Sequence, residues 1–184
     1  MVYVLLGTGF EEVEAITPVD LLRRAGISVL TVGVDGETVR GGHGIAIEAD
    51  ILLDEMDLTD LDMIVLPGGL GGVAAIRGSQ AALDAVRFAW ENGKFVAAIC
   101  AAPTILAELG ITKDRQAVCY PGCEAAMPDT HILPDAPWVQ DGTLITGASA
   151  GCAVPFALAL IAALRNREAA EQVAKQIVIR GQEE

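Results

Sequence analysis

The sequence predicts a single α/β domain over residues 1–184, with a mainly parallel β-sheet covered by helices on both faces. Three observations support this fold class. The length of 184 residues suits one domain and is enough to bury a core without disulfides or metals. Short apolar runs alternate along the chain with segments of helical pattern. Several of these runs are apolar throughout, which is typical of strands buried on both faces of a sheet.

The predicted strands are short, mostly apolar runs that end near glycine or proline. In chain order they lie at Val2–Leu6, 28–33, Met63–Leu66, Phe95–Ile99, 116–120 and 143–146. Gly7 closes the first run, and a Pro-Gly-Gly segment at 67–69 closes the third. Two short antiparallel strands are predicted at 37–40 and 45–48, after an Asp-Gly turn signal. Residues 121–142 are rich in Pro, Asp and Gly and predict a loop.

The predicted helices carry their own start and stop signals. They lie at residues 11–25, 80–92, 101–109, 152–164 and 168–176. The first begins with acidic residues and ends with Arg23 and Arg24, an order that matches the helix dipole. Pro18 should kink or restart this helix. Ser79 is a candidate N-cap of the second helix. The fourth helix is apolar but too short to span a bilayer.

Composition excludes several classes of protein. Hydrophobic residues make up 52% of the chain and the mean hydropathy is +0.45, which excludes a disordered chain. A formal net charge of -13 repels phosphate backbones and anionic lipid, so we expect no nucleic-acid and no membrane partner. The four cysteines are Cys100, Cys119, Cys123 and Cys152. With only two histidines beside them, they favour reduced thiols in a cytoplasmic protein, without a bound metal. The start of the chain, MVYVLLGTGF, has no basic residues and only a short apolar run, so no signal peptide is expected.

The carboxyl ends of parallel strands meet at one edge of a sheet, where ligands of such folds bind. The predicted strands bring three loops to that edge, at residues 7–14, 67–72 and 100–103. The second loop lacks the Gly-Lys-Ser/Thr of a phosphate-binding loop. In the first loop Glu12 replaces the third glycine of a dinucleotide fingerprint and would repel a pyrophosphate. We therefore expect a site without a cofactor.

Cys100 is the residue at this edge best suited to chemistry. It follows a strand directly and precedes a helix, a turn that exposes a nucleophile. Free N–H groups at the start of the helix predict a lowered pKa for the Cys100 thiol. They also predict a binding site for an oxyanion, to which the Pro-Gly-Gly segment at 67–69 could add a second backbone amide. Glu11, Glu12 or Glu14 beside the thiol would have a raised pKa and could carry a proton, and their spacing does not choose among them. A buried structural cysteine is the alternative interpretation.

Five segments together resemble the ThiJ/PfpI superfamily, and within it the branch of the parkinsonism-associated protein deglycase. They are GFEEVE at 9–14, PVDLLRRAG at 18–26, VLPGG at 65–69, AAICAAP at 97–103 and FALAL at 156–160. The resemblance implies a flavodoxin-like three-layer sandwich with a nucleophile-elbow cysteine, and a homodimer. It places the nucleophile at Cys100, the carboxyl partner at Glu14 and the oxyanion amides at Gly69 and Ala101.

The resemblance also implies an activity. Members of this branch are credited with glutathione-independent glyoxalase III and deglycase activity on small 2-oxoaldehydes such as methylglyoxal. The alternative is an oxidative-stress sensor or chaperone-like protein that works through oxidation of Cys100 to a sulfinate. Protease-like members carry histidine where this chain has Ala101, so peptidase activity is not expected.

Two histidines bear on the expected chemistry. His131 lies one position from a loop histidine that glyoxalase-type members use, which makes it a candidate general base, and a solvated loop residue is the alternative. Tyr120 stands where family members often have a histidine. His43 lies in a segment that family members bring to the dimer interface, so a contact or a turn is the expected role there.

Overall fold

A central β-sheet organises the structure, a computed structural model that describes residues 1–179. The strands are β1 (Val2–Leu6), β2 (Val29–Gly33), β3 (Thr38–Arg40), β4 (Ala46–Glu48), β5 (Ile51–Leu52), β6 (Met63–Leu66), β7 (Phe95–Ile99), β8 (Gln116–Ala117), β9 (His131–Ile132), β10 (Trp138–Asp141) and β11 (Leu144–Gly147). Seven of them form the central sheet in the order β10-β11-β7-β6-β1-β2-β5. All neighbours pair in parallel except β10 and β11, which are antiparallel. The predicted mainly parallel sheet is confirmed.

Within residues 1–179, six α-helices cover the two faces of this sheet. They are α1 (Glu12–Arg24), α2 (Leu70–Gly78), α3 (Gln80–Glu91), α4 (Pro103–Glu108), α5 (Ala153–Leu164) and α6 (Arg167–Gln176). Val4 of β1 belongs to the buried cluster that includes residues of α1, α5 and α6, whereas its neighbour Leu5 belongs to the cluster that includes α2, α3 and α4. Alternate side chains of a strand point to opposite faces, so each face has its own core. This is the flavodoxin-like three-layer sandwich that the sequence predicts.

The buried strands and most helices lie where the sequence places them, within one or two residues. Ser79 accepts a hydrogen bond from the N–H of Ala82 and caps α3 as predicted. Helix α1 is continuous through Pro18, so the predicted restart is wrong. Pro18 removes one internal hydrogen bond, but it lies on the buried side of α1, which packs against α5.

Other segments differ from the expectation. Helix α2 was not predicted, and part of the predicted loop at 121–142 forms β9 and β10. The predicted strand at 116–120 is only two residues long and pairs with β9, away from the central sheet. The predicted helix at 101–109 begins later, at Pro103. Residues 180–184, the end of the predicted domain, lie outside the described residues.

The carboxyl ends of β1, β6 and β7 meet at one edge, as expected, and backbone hydrogen bonds join the loops there. The N–H of Glu11 donates to the carbonyl of Gly68 at 3.0 Å, and the N–H of Cys100 donates to the carbonyl of Gly147 at 2.9 Å. The hairpin of β3 and β4 reaches the same edge, because Gly9 N–H donates to the carbonyl of Arg40 at 2.7 Å. Within residues 1–179, no helix has the length and apolar character needed to cross a membrane.

Candidate active site

Cys100 occupies a strained turn between β7 and α4. Its φ of 67° lies in the left-handed region, which residues other than glycine rarely adopt. Hydrogen bonds on both sides hold this backbone: Cys100 N–H donates to Gly147, and the Cys100 carbonyl accepts from Tyr120 N–H at 2.8 Å. The side chain is half-buried. The nucleophile-elbow geometry expected from the sequence is therefore present.

Glu14 is the glutamate that the fold places beside Cys100. Its side chain is fully buried, and its Oε2 accepts a hydrogen bond from Gly68 N–H at 2.9 Å. A Cβ on residue 68 would overlap Glu14 Oε2 and lie 3.1 Å from Cys100 Sγ, so only glycine fits between the two side chains. The choice among three glutamates that the spacing left open is thus resolved by the first turn of α1.

Burial raises the pKa of Glu14 to about 7, against the opposing effects of its interactions with the Cys100 side chain and the Gly68 N–H. The rise expected from the sequence is confirmed. Glu14 Oε1 is buried without a hydrogen-bond partner. A bare carboxylate oxygen in such a place is unfavourable, and protonation of the carboxyl would remove the charge and supply a hydrogen-bond donor.

The expected lowering of the Cys100 pKa is wrong. Burial, followed by the charge of Glu14, raises the pKa of the Cys100 thiol to about 12. Interaction with the backbone N–H groups of Ala101 and Gly69 lowers the pKa of the thiol, but it does not outweigh burial and the carboxylate. These are the two amides expected to form the oxyanion site, and both lie at the sulfur.

Cys100 and Glu14 therefore titrate as a coupled pair, as the sequence indicates. Burial raises the pKa of both groups, to about 7 for Glu14 and to about 12 for Cys100. Between these values the pair holds one proton, either as a thiol beside a carboxylate or as a thiolate beside a carboxylic acid. The second arrangement is the reactive one, since the thiolate is the nucleophile and the acid is a ready proton donor.

A cavity of about 480 Å³ opens at Cys100. Glu11, His43, Tyr120 and Cys123 are among the residues that line it. This volume suits a small-molecule ligand. A second cavity, of about 460 Å³, lies where strands begin, at the other end of the sheet.

The structure does not bring His131 into the Cys100 cavity. His131 is exposed, and it pairs with Gln116 at the start of β8, four positions before the Tyr120 that reaches Cys100. It is not among the residues that line the cavity. The register explains this, because β8 and β9 are parallel and His131 pairs at the end of β8 that is farther along the chain from Tyr120.

The histidine that does line the cavity is His43, for which a contact or a turn was the expected role. Its backbone N–H and its ring Nδ1 lie 2.7 Å and 2.9 Å from the two oxygens of Glu12, and its Nδ1 lies 3.5 Å from Glu11 Oε2. Among residues 1–179, these three side chains form a group in which metal-binding atoms lie within 4.8 Å of one another. Because Glu12 already accepts hydrogen bonds from His43 and Ile45, we describe the group as a hydrogen-bonded network.

Known proteins agree with this architecture. The family model described as "DJ-1/PfpI family" matches residues 1–163. Protein dj-1beta of Drosophila melanogaster is 37% identical over 178 residues, covering 96% of this chain and 95% of that protein. Its crystal structure covers 98% of both chains with a TM-score of 0.93. "Deglycase PH1704" of Pyrococcus horikoshii is 31% identical over 143 residues, covering 74% of this chain and 86% of that protein. The chain belongs to the DJ-1/PfpI family.

Proposed function

We propose that this protein is a cysteine-dependent, glutathione-independent enzyme of the glyoxalase or deglycase type, acting on small 2-oxoaldehydes such as methylglyoxal. The observation that carries the proposal is the Cys100–Glu14 pair, which opens on a cavity and has two backbone N–H groups at the sulfur. Relatives with deglycase in their names support the same class of activity. In this proposal residues 1–184 act as one domain and no cofactor takes part.

The proposed reaction starts with the Cys100 thiolate, which bonds to the aldehyde carbon of methylglyoxal. The N–H groups of Gly69 and Ala101 stabilise the oxyanion that forms, and Glu14 gives it a proton to complete the hemithioacetal. A proton then moves from the former aldehyde carbon to the neighbouring carbonyl carbon through an enediol, which leaves a lactoyl thioester on Cys100. Water cleaves this thioester, lactate leaves, and the thiol recovers its proton. The overall change adds one water and needs no external oxidant or reductant.

The test is lactate formation from methylglyoxal by the purified protein in buffer without glutathione. We expect saturable turnover that follows the concentration of protein. A protein that carries a reduced Cys100 and produces no lactate would rule out this function.

We also propose that the protein forms a homodimer through the exposed face of α1. Val13 and Ile16 on this face are 49% and 37% exposed, and Ile45, which is 57% exposed, lies next to it through its hydrogen bond to Glu12. Exposed apolar side chains grouped in this way are typical of an interface with another chain. The family resemblance indicates that the partner at this face is a second copy of the same chain.

Light scattering is expected to give the mass of two chains for the wild-type protein and of one chain for Ile16→Asp, because a charge buried in an apolar interface opposes association. Leu133→Asp is the matched control, since Leu133 is 39% exposed but lies away from α1. A wild-type mass of 19.1 kDa would refute the dimer.

Oxidation sensing at Cys100 is the second candidate function. Cys100 is half-buried at a cavity, with backbone N–H groups and a buried carboxyl at hand to bind sulfinate oxygens, whereas Cys119 is buried away from it. After mild peroxide treatment, mass spectrometry should show two oxygens added to Cys100 before any are added to Cys119, Cys123 or Cys152. Equal oxidation of all the cysteines, or none, would exclude this function.

A further inference from the structure

The strongest feature beyond the Cys100–Glu14 pair is the contact between Glu12 and His43 at the rim of the same cavity. Glu12 is buried, with a side chain 7% exposed, whereas the His43 side chain is 72% exposed. The Glu12 carboxylate accepts hydrogen bonds from the His43 backbone N–H at 2.7 Å, from the Ile45 backbone N–H at 3.3 Å and from the His43 ring. A buried carboxylate thus fixes an imidazole that remains open to the cavity.

The segment between β3 and β4 is built around this carboxylate. A Cβ at position 41 would overlap the Glu12 carboxylate, so Gly41 lets the backbone wrap closely against it. Gly42 N–H donates to the carbonyl of Phe10 at 2.8 Å, which ties the segment to the start of α1. The position of His43 is therefore set by the fold and does not depend on a free loop.

The charge state of Glu12 sets the tautomer of His43. Burial raises the pKa of Glu12, but the hydrogen bond from the His43 ring and those from backbone N–H groups outweigh it and hold this pKa below its usual value. An ionised carboxylate only accepts hydrogen bonds, so Nδ1 must carry a hydrogen. In neutral His43 the other nitrogen, Nε2, is then free to take a proton.

We propose that His43, held by Glu12, is the acid–base residue that moves the carbon-bound proton of the substrate in the Cys100 cavity. The inference rests on the proposed function and adds a residue to it. Nε2 of His43 takes the proton from the former aldehyde carbon of the hemithioacetal and returns it to the neighbouring carbon, while Glu14 handles the proton of the sulfur and the oxyanion. Glu12 is a positioning residue in this scheme.

The electrostatic surroundings of His43 suit this role. The hydrogen bond to Glu12, with the charges of Glu11 and Glu12, raises the pKa of His43. Arg40, on the same segment, directs its guanidinium to the carbonyl of Gly44. Cys100, Tyr120 and Cys123 line the same cavity as His43. A more basic imidazole is a stronger base, and the imidazolium that it becomes is the acid that can return the proton.

The experiment compares lactate formation by the wild-type protein, His43→Gln and His131→Gln. His43→Gln should lower kcat about 100-fold or more, the scale of losing a general base, with little change in KM. His43→Ala should regain turnover when imidazole is added to the buffer. Alkylation of Cys100 by iodoacetamide should remain in both His43 variants, which shows that the nucleophile is intact. Light scattering must give the wild-type mass for the His43 variants, so that a loss of turnover is not caused by a loss of the dimer.

A second measurement does not depend on activity. The chain has two histidines, so His131→Gln assigns the imidazole NMR signals, and a titration then reports the pKa of His43. Glu12→Gln should lower this pKa, because it removes the charged partner. Equal turnover in wild type and His43→Gln, a loss at His131 alone, or an unchanged His43 pKa in Glu12→Gln would overturn the proposal and leave the Cys100 function standing. An inert wild type would overturn both.

Discussion

Replacing Cys100 by serine should abolish lactate formation from methylglyoxal, with a loss of about 10⁴-fold or more, the scale seen when a covalent nucleophile is removed. Serine keeps the size and the strained turn, but its hydroxyl does not ionise in this pH range. Glu14 can no longer share a proton with a thiol, and no thioester can form. The Gly69 and Ala101 amides would remain, with nothing bound to the elbow for them to stabilise.

The control for this variant is Cys152→Ser, because Cys152 is half-buried near the site but does not line the cavity. It should retain wild-type turnover. Unfolding curves of the two serine variants should match that of wild type, so that the loss is assigned to chemistry. Substantial turnover in Cys100→Ser would show that the lactate arises without the thiol and would remove the basis of the proposed function.

The central strands could be predicted from the sequence because parallel strands buried on both faces are apolar throughout. Met63–Leu66 and Phe95–Ile99 have the same bounds in the sequence and in the structure. Helix α2 could not be predicted, since its glycines weaken any helical pattern. Gly71 and Gly72 allow α2 to pack closely against the loop at 8–10, because a Cβ on either residue would overlap the backbone of that loop. Tertiary packing overrides propensity at this point.

The part of the site that lies in a single sequence segment was predicted, whereas the contact between two distant segments was not. Cys100 is visible as a thiol at the corner between a strand and a helix. The His43–Glu12 contact joins residues 31 positions apart and depends on how the β3–β4 hairpin folds over α1. The paired glycines before His43 were the available signal for a close approach. The direction of the Cys100 pKa was missed because burial is a property of the fold.

Replacing Glu14 by glutamine should raise stability at alkaline pH while it removes activity. The folded-state pKa of Glu14 is about 7, against an ordinary value of 4.5. A carboxyl whose pKa is raised by folding contributes most to stability below pH 4.5, and that contribution is lost as the pH rises through 7. Glutamine cannot ionise, so the variant avoids this loss. The gain at pH 8 is at most about 3 kcal/mol, from 1.36 kcal/mol per pKa unit.

Urea unfolding at pH 5 and pH 8 measures this effect. Wild type and Glu14→Gln should have similar free energies of unfolding at pH 5 and differ at pH 8, with the variant the more stable. Glu91→Gln, at an exposed position at the end of α3, is the matched control and should follow wild type at both pH values. A Glu14→Gln variant that loses stability with pH as steeply as wild type does would show that this carboxyl is not the ionising group.

The same substitution should lower kcat by about 10² to 10⁴-fold, the range for removing a proton-transfer group. Glutamine has nearly the same shape and can still accept the hydrogen bond from Gly68 N–H, so the geometry persists without the transferable proton. This one substitution would then raise the stability of the protein at alkaline pH and lower its activity. The buried carboxyl of Glu14 destabilises the folded protein when it ionises above pH 7, and that same carboxyl, beside Cys100, is the group that can pass a proton to the sulfur or to the substrate.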